Sequence, residues 1–243
     1  MNKKRRLGKL SPLSIVGRLI VCAYAIILTV PFYFVIITSL KAREERILNP
    51  IGLPEKFNLS NYAVAVRDGH LLSAAKNSII ITVGSTLLFL FFTILVSYCI
   101  NRIRNTKVGT AIYMFFLFAM FVPGVSSVTS LMLRRRLGLY NNLYGEILCS
   151  SIGITTAVFI VTGFLRTIPR DLEEAAMLDG ANEWQICSRV IVPLIMPALS
   201  TVGILHFTDI WNSALNPMLT LRDEKLYTIP MALLINFSNE YSV

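Results

Sequence analysis

The sequence predicts an all-α, polytopic transmembrane helix bundle, and three observations carry that prediction. Apolar residues make up 54% of the chain and charged ones only 15%, for a mean hydropathy of +0.63. Apolar runs of about twenty residues recur, the length one helix needs to cross a bilayer. Between them lie short polar connections, and no separate soluble domain, internal repeat or low-complexity tract stands out. Length alone, 243 residues, would allow one or two soluble domains; the composition excludes them. Cys22, Cys99, Cys149 and Cys187 are scattered without a CxxC pair, and read as small apolar residues rather than a disulfide framework or metal site. The net charge of +9 points to anionic lipid at the cytoplasmic surface before nucleic acid.

Residues 1–18 form a basic tail containing Lys3, Lys4, Arg5, Arg6 and Lys9. A first span is expected over about 19–40. Its apolar run exceeds the roughly 7–15 residues of a signal-peptide core and lacks a convincing cleavage site, so it reads as retained. The basic cluster should hold the N-terminus inside. Residues 41–75, with Pro50, Pro54, Asn58 and Asn61, make the first external loop. A second span, about 77–100, ends in the tight basic turn NRIRNTK. The third, about 110–133, contains Pro123-Gly124, an interruption tolerated where neighbouring helices or a cavity satisfy the freed backbone. A kink beside a transport path and an ordinary packing irregularity both fit it. Arg134–Asn142 form the next external turn, followed by a fourth span over about 147–165. After a polar insert, 166–190, a fifth span covers about 194–211, ending at an interface-type tryptophan, Trp211. Alternation puts the insert on the cytoplasmic side with the N-terminus. The Lys/Arg balance supports this only through the N-terminal cluster and NRIRNTK, because Arg134, Arg135 and Arg136 fall outside.

The polar insert carries the most specific local signals. Pro169 breaks the preceding segment, and Asp171, Glu173 and Glu174 fall where acids favour the positive end of a new helix. Gly180, following Met177 and Leu178, suits a left-handed C-cap after about two turns. Asn182 with Gln185 reads as a capping box opening a second helix that carries Trp184, Ile186 and Val190. The pattern predicts a short helix, a glycine elbow and a second helix running into the membrane.

Within that insert, Glu174-Ala175-Ala176, three residues, Gly180, nine residues, Val190, one residue and Val192-Pro193 resemble the EAA loop of ABC importer permeases, whose pattern is EAA-x3-G-x9-I-x-L-P. Val190 and Val192 replace the usual Ile and Leu conservatively. PFYFVIITSLK (31–41), NLSNYAV (58–64), KNSIIITVGST (76–86), FVPGV (121–125), RRLGLYNNLYG (135–145), TDIWNSALNPMLTL (208–221) and LYTIPMAL (226–233) extend the resemblance over nearly the whole chain, toward the carbohydrate-importer branch and its maltose-type second permease subunit. The resemblance implies that 19–243 is a permease transmembrane domain whose short helix lies in a groove of a cytoplasmic ATPase. There Glu173, Glu174 and Asp179 would face basic residues, Ala175 and Ala176 would permit close backbone approach, and Gly180 would supply the turn. Pro193 and Pro197 would mark where motion enters the fifth span. The implied partners are a second permease subunit, an ATPase dimer carrying ATP and Mg2+, and an extracellular or periplasmic sugar-binding protein, in a bacterial plasma or inner membrane. Such permeases usually carry six spans, so the five read here suggest a sequence truncated before the last.

The chain itself carries no G-x4-G-K-[ST] phosphate loop, so pumped import must draw its energy from another chain. No cofactor or metal is expected on it. His206 and Asp209 fall on one helix face, and ionisable groups in a span face the bundle interior or water. A substrate-path role competes with external water for Asp209 and with a neutral, hydrogen-bonded state for His206. Asn212 and Asn216 offer hydrogen bonds to sugar hydroxyls, and interfacial capping explains them as well. Two other classes compete. A self-contained transporter driven by an ion gradient predicts intramembrane carboxylates or broken helices in paired repeats, and only Asp209 is offered. A membrane-embedded enzyme needs clustered His or acidic residues, whereas the two histidines are distant in sequence.

Overall fold

A computed structural model describes residues 12–67, 70–103, 106–121 and 127–240, and these are helical with no strand among them. The basic cluster at residues 3–9 and Pro123-Gly124 lie outside the described residues. Residues 1–68 and 69–243 form two compact units.

In the first unit, α1 (Pro12–Ser39) begins earlier than the expected position 19. Proline suits a first helical position, where its missing N–H has no intrahelical acceptor to lose. Most of the large apolar side chains of α1 are exposed, as in a span awaiting lipid or protein neighbours. Helices α2 (Arg43–Leu48) and α3 (Ser60–Arg67) follow. Lys41, fully buried, donates its ammonium to the carbonyls of Asn49 (2.6 Å) and Pro50 (3.3 Å). The Asn61 amide donates to the carbonyls of Ser39 (2.8 Å) and Lys41 (2.9 Å), tying α3 to the end of α1.

The second unit is built on α4 (Leu71–Arg102), against which α7 (Leu143–Ser151), α8 (Thr155–Leu165) and α12 (Met196–Asn212) pack. The buried face of α4 carries small polar residues, Ser78, Thr82, Ser85, Thr93 and Ser97, at helical spacing beside Ile81, Phe89 and Tyr98, while Ile79, Val83, Leu87, Phe91 and Leu95 point outward. Small polar residues inside and large apolar ones outside suit a bilayer. Lipid is as apolar as Leu, so helices associate where small residues let backbones approach. Val161, Leu165, Ile191 and Ile195 complete the core around Phe89 and Tyr98.

The other expected spans are broken. Residues 110–133 fall on α5 (Thr106–Phe121) and α6 (Ser127–Arg136). Residues 147–165 fall on α7 and α8, which bend by 47° across Ile152-Gly153-Ile154, where glycine weakens the helix. Among the described residues, two helices are long and apolar enough to cross a bilayer, or up to four if each bent pair is one span. α13 (Leu215–Thr220) and α14 (Ile229–Glu240) follow.

Candidate functional site

The polar insert folds from local rules. α9 (Asp171–Leu178) carries Asp171, Glu173 and Glu174 in its first turn. It ends in a paired cap: Ala181 N–H donates to the Ala176 carbonyl and Gly180 N–H to the Met177 carbonyl, both at 3.0 Å. That geometry needs a left-handed residue, and Gly180 has φ +83°. Two residues on, the Asn182 side chain accepts from Gln185 N–H and the Gln185 side chain accepts from Asn182 N–H, each at 2.9 Å. The short helix, elbow and capping box expected from the residues are thus all present.

Adjacent residues on a helix point about 100° apart, and on α9 Glu173 turns inward while Glu174 stays exposed. Glu173 is 5% exposed and its carboxylate turns back to form an ion pair with Arg102, the last residue of α4. The sequence reading aims Glu173 at a partner's basic residues; within this chain its charge is met by Arg102. Arg102 also holds Glu183 at 3.0 Å and contacts the Met177 sulfur at 3.4 Å. Tyr98 donates its hydroxyl to the other Glu183 oxygen at 2.9 Å. Tyr98 and Arg102 together keep the Glu183 carboxyl below the usual carboxylate range. Arg170 adds a hydrogen bond to the Asn101 carbonyl at 3.3 Å. The elbow is therefore bolted to one end of α4 from both its sides, around a cavity of about 450 Å³. Glu174, Ala175, Asp179 and Gly180 stay exposed and Ala176 is half-buried. Leu178 (89% exposed) and Trp184 (64%) project from the same loop, an apolar tip of the kind that meets a protein or a membrane.

Sequence reasoning missed Tyr98, Arg102 and Glu183. The clue was present: NRIRNTK ends the second span on the side where the acidic insert emerges.

Beyond the elbow, α10 (Glu183–Gln185), a π-helical turn (Ile186–Ile191) and α11 (Val192–Leu194) form one rod. This rod meets α12 at Ile195 with a 78° bend, so the second helix of the insert does not run straight into the fifth span. The reason lies in Pro197. It has no N–H for the Pro193 carbonyl four residues back, and its ring would clash there. Pro193 and Pro197 do bracket the bend.

Ser78 to Arg102 on α4 spans about 36 Å; of the remaining expected residues, His206 packs midway along it and Asp209 lies near the end far from the elbow. His206 stacks on Phe89 with ring centroids 4.0 Å apart. Its Nε2 lies 3.1 Å from the Ser150 carbonyl, an acceptor, so that nitrogen carries the proton; Thr86 Oγ1 lies 3.2 Å from Nδ1. Both ring nitrogens are thus used inside the bundle. Asp209 is exposed and borders an 80 Å³ cavity shared with Ser78, Thr82, Ser150, Ser213 and Thr228. Asn212 donates to the Thr208 carbonyl at 2.8 Å on its own helix. The structure therefore places Asp209 on a polar cavity but gives His206 and Asn212 local partners.

Two of the three arginines at 134–136 find a role. Arg134 pairs with Glu146, which is buried and also accepts from the Thr220 hydroxyl at 2.8 Å. Arg135 lies over the Tyr140 ring, 4.7 Å from its centre. Tyr140 also accepts a hydrogen bond from Arg222 at 3.1 Å, and the two arginines lower its pKa. Among the described residues no cluster of three or more His, Cys, Asp or Glu can hold a metal ion.

Comparison with known proteins places these features in a family. Residues 90–241 match the model for binding-protein-dependent transport system inner membrane components. The chain is 32% identical over 211 residues to a probable starch degradation products transport system permease protein, AmyC, of Thermoanaerobacterium thermosulfurigenes, covering 86% of this chain and 76% of that one. It is 30% identical over 224 residues to the melibiose/raffinose/stachyose import permease protein MelC of Bacillus subtilis, covering 91% and 79%. Its fold resembles a chain from the crystal structure of a bacterial ABC transporter involved in the import of the acidic polysaccharide alginate, with TM-score 0.81, 24% identity and coverage of 95% and 81%.

Proposed function

The chain belongs to the binding-protein-dependent transport system inner membrane components, and from that premise we propose that it carries sugars or oligosaccharides, with α9 as the coupling helix. It is a membrane-embedded permease subunit of an ABC importer, a transport component and not an enzyme, and the family speaks against a self-contained ion-driven transporter. Such subunits work with a partner permease, an ATPase and a binding protein. For this chain we assign a distinct second permease, a cytoplasmic ATPase dimer holding ATP and Mg2+, and an extracellular sugar-binding protein. The N-terminus and the 166–190 loop would face the cytoplasm of a bacterial cell. Relatives named for starch degradation products and for melibiose, raffinose and stachyose support a saccharide cargo.

The observation that carries the coupling assignment is the capped helix α9, held by its inner face and exposed along its outer one. Glu174 and Asp179 offer charge there, Ala175 and Ala176 a low profile, and Gly180 the turn. ATP-driven closure of the ATPase would move α9, and the rod would deliver that motion to α12 at the Pro193–Pro197 bend. Asp209 and its polar cavity are the better substrate-path element than His206 or Asn212.

The test is co-purification of the ATPase with tagged permease bearing Glu174→Lys, with uptake of labelled maltodextrin and raffinose in the same cells. Loss of ATPase recovery from a membrane-inserted variant is expected. Full recovery would overturn the docking role, and failure of every saccharide to enter would overturn the cargo class.

A further inference from the structure

We propose that Arg102 is a positioning residue that gives the coupling helix a second line of transmission, into α4. This rests on the assignment of α9 as the ATPase-docking helix.

The geometry points that way because Arg102 grips both sides of the Gly180 elbow at once. One guanidinium nitrogen pairs with Glu173 on α9 and the other with Glu183 at the start of the rod. Guanidinium is a planar fork, so it holds two carboxylates only at one relative angle. An ammonium, a point charge, would not fix that angle. Tyr98, one turn back on α4, fixes the second oxygen of Glu183, and Arg170 reaches the backbone of Asn101. Four links, from Tyr98, Asn101 and Arg102, therefore join the last turn of α4 to α9, its N-cap Arg170 and the rod.

Burying the Glu173 carboxylate is a weak route to stability, since desolvation offsets most of the Coulomb gain. What such a pair fixes is geometry. At the other end of the same 32-residue helix, Ser78 and Thr82 line the cavity that Asp209 borders. A displacement of α9 thus reaches that cavity through α4 as well as through the bent rod and α12. The rod alone, interrupted by a π-helical turn and a 78° bend, would lose part of that motion.

The test uses the full importer in lipid nanodiscs with Arg102→Ala, Arg102→Lys and Glu183→Gln. Amide exchange of residues 172–179 should quicken at least about tenfold in Arg102→Ala, less in Arg102→Lys and least in Glu183→Gln. Solute moved per ATP hydrolysed should fall in the same order, and by more than ATPase recovery does, since the outer face of α9 is untouched. Unchanged exchange, or unchanged solute per ATP alongside faster exchange, overturns the proposal. If Arg102→Ala does not accumulate in membranes, Arg102→Lys and Glu183→Gln decide the matter by the same criteria. Failure of the unmodified chain to recover ATPase would instead sink the docking assignment, and the exchange data would show that failure to be separate.

Discussion

Replacing Gly180 tests whether the elbow acts through backbone conformation or through empty space. The residue sits at φ +83°, and an added Cβ would meet no heavy atom within 4 Å. A side chain there therefore brings no clash, only the cost of a left-handed L-residue, about 1–2 kcal/mol. A penalty of that size multiplies the population of an opened elbow by about 5–30. The two cap hydrogen bonds from Gly180 and Ala181 would break in that opened state, and α9 would lose its fixed angle to the rod. Asparagine tolerates the left-handed region, alanine less well and valine least. ATPase co-purification should then rank Gly, Asn, Ala, Val in descending order, and limited proteolysis of the 166–190 loop should rank them in reverse. The melting temperature of the membrane unit should move little, because the opening is local. Equal recovery from all four would refute the elbow's part in docking. Recovery lost equally in Asn and Val would show that the partner's close approach, and not the backbone angle, is what glycine supplies.

Other substitutions separate packing from transport. Arg134→Met alone should destabilise the detergent-solubilised chain by about 3–5 kcal/mol by stranding buried Glu146, while Arg134→Met with Glu146→Met should recover much of that loss in a thermal melt. His206→Phe keeps the stack on Phe89 but removes the bonds to Thr86 and Ser150; it should lower the melting temperature and leave the KM for uptake unchanged. Asp209→Asn, in contrast, should change uptake KM with little effect on the melt, because Asp209 is exposed. For pH, the folded value of Glu183 lies below its ordinary 4.5, so its pairing contributes above that value and is lost as pH falls through the folded one. Elbow opening, read from exchange rates corrected for the intrinsic pH dependence of amide exchange, should thus be insensitive to the ionisation of Glu183 between pH 6 and 8 and increase only below about pH 4.5, modestly, because the Glu183 side chain is 64% exposed.

What the sequence disclosed was local. α9, its glycine cap and the Asn182–Gln185 box follow from signals within a few residues of each other, and no distant contact overrides them. Three things stayed hidden because they depend on packing across the fold. Which acid of Glu173-Glu174 turns inward is decided by Arg102, about seventy residues earlier in the chain. The arginines at 134 and 135 looked like stray external charge until Glu146 and Tyr140 came round the turn to meet them. The bend at Ile195 needs Pro197 to be read against the carbonyl of Pro193, a pairing that a search for apolar runs passes over.

The π-helical turn shows how a helix period read from sequence misplaces a core face. Ile186 and Val190, four apart, suggest one apolar stripe at ordinary α spacing. In the structure Val190 is only half-buried, and the stripe continues through Ile191, five residues on, then Ile195 and Leu199 at intervals of four. One extra residue in the π turn restores the register. Without it, Ile191 and Ile195 would rotate away from Val161 and Leu165, and the rod would lose its seat in the core. The insertion therefore anchors the rod at the point where motion from α9 must enter the bundle. Deleting Val190 would leave Ile186 and Ile191 four apart and return the segment to α geometry with the same face toward Val161 and Leu165, so the Gly180 elbow would keep its angle to α12. Arg102 should then still hold Glu173 and Glu183 together. Retained uptake in a Val190 deletion is the expected result; a membrane-inserted deletion that transports nothing would show that the wide turn itself, and not only the register it keeps, is needed for transport.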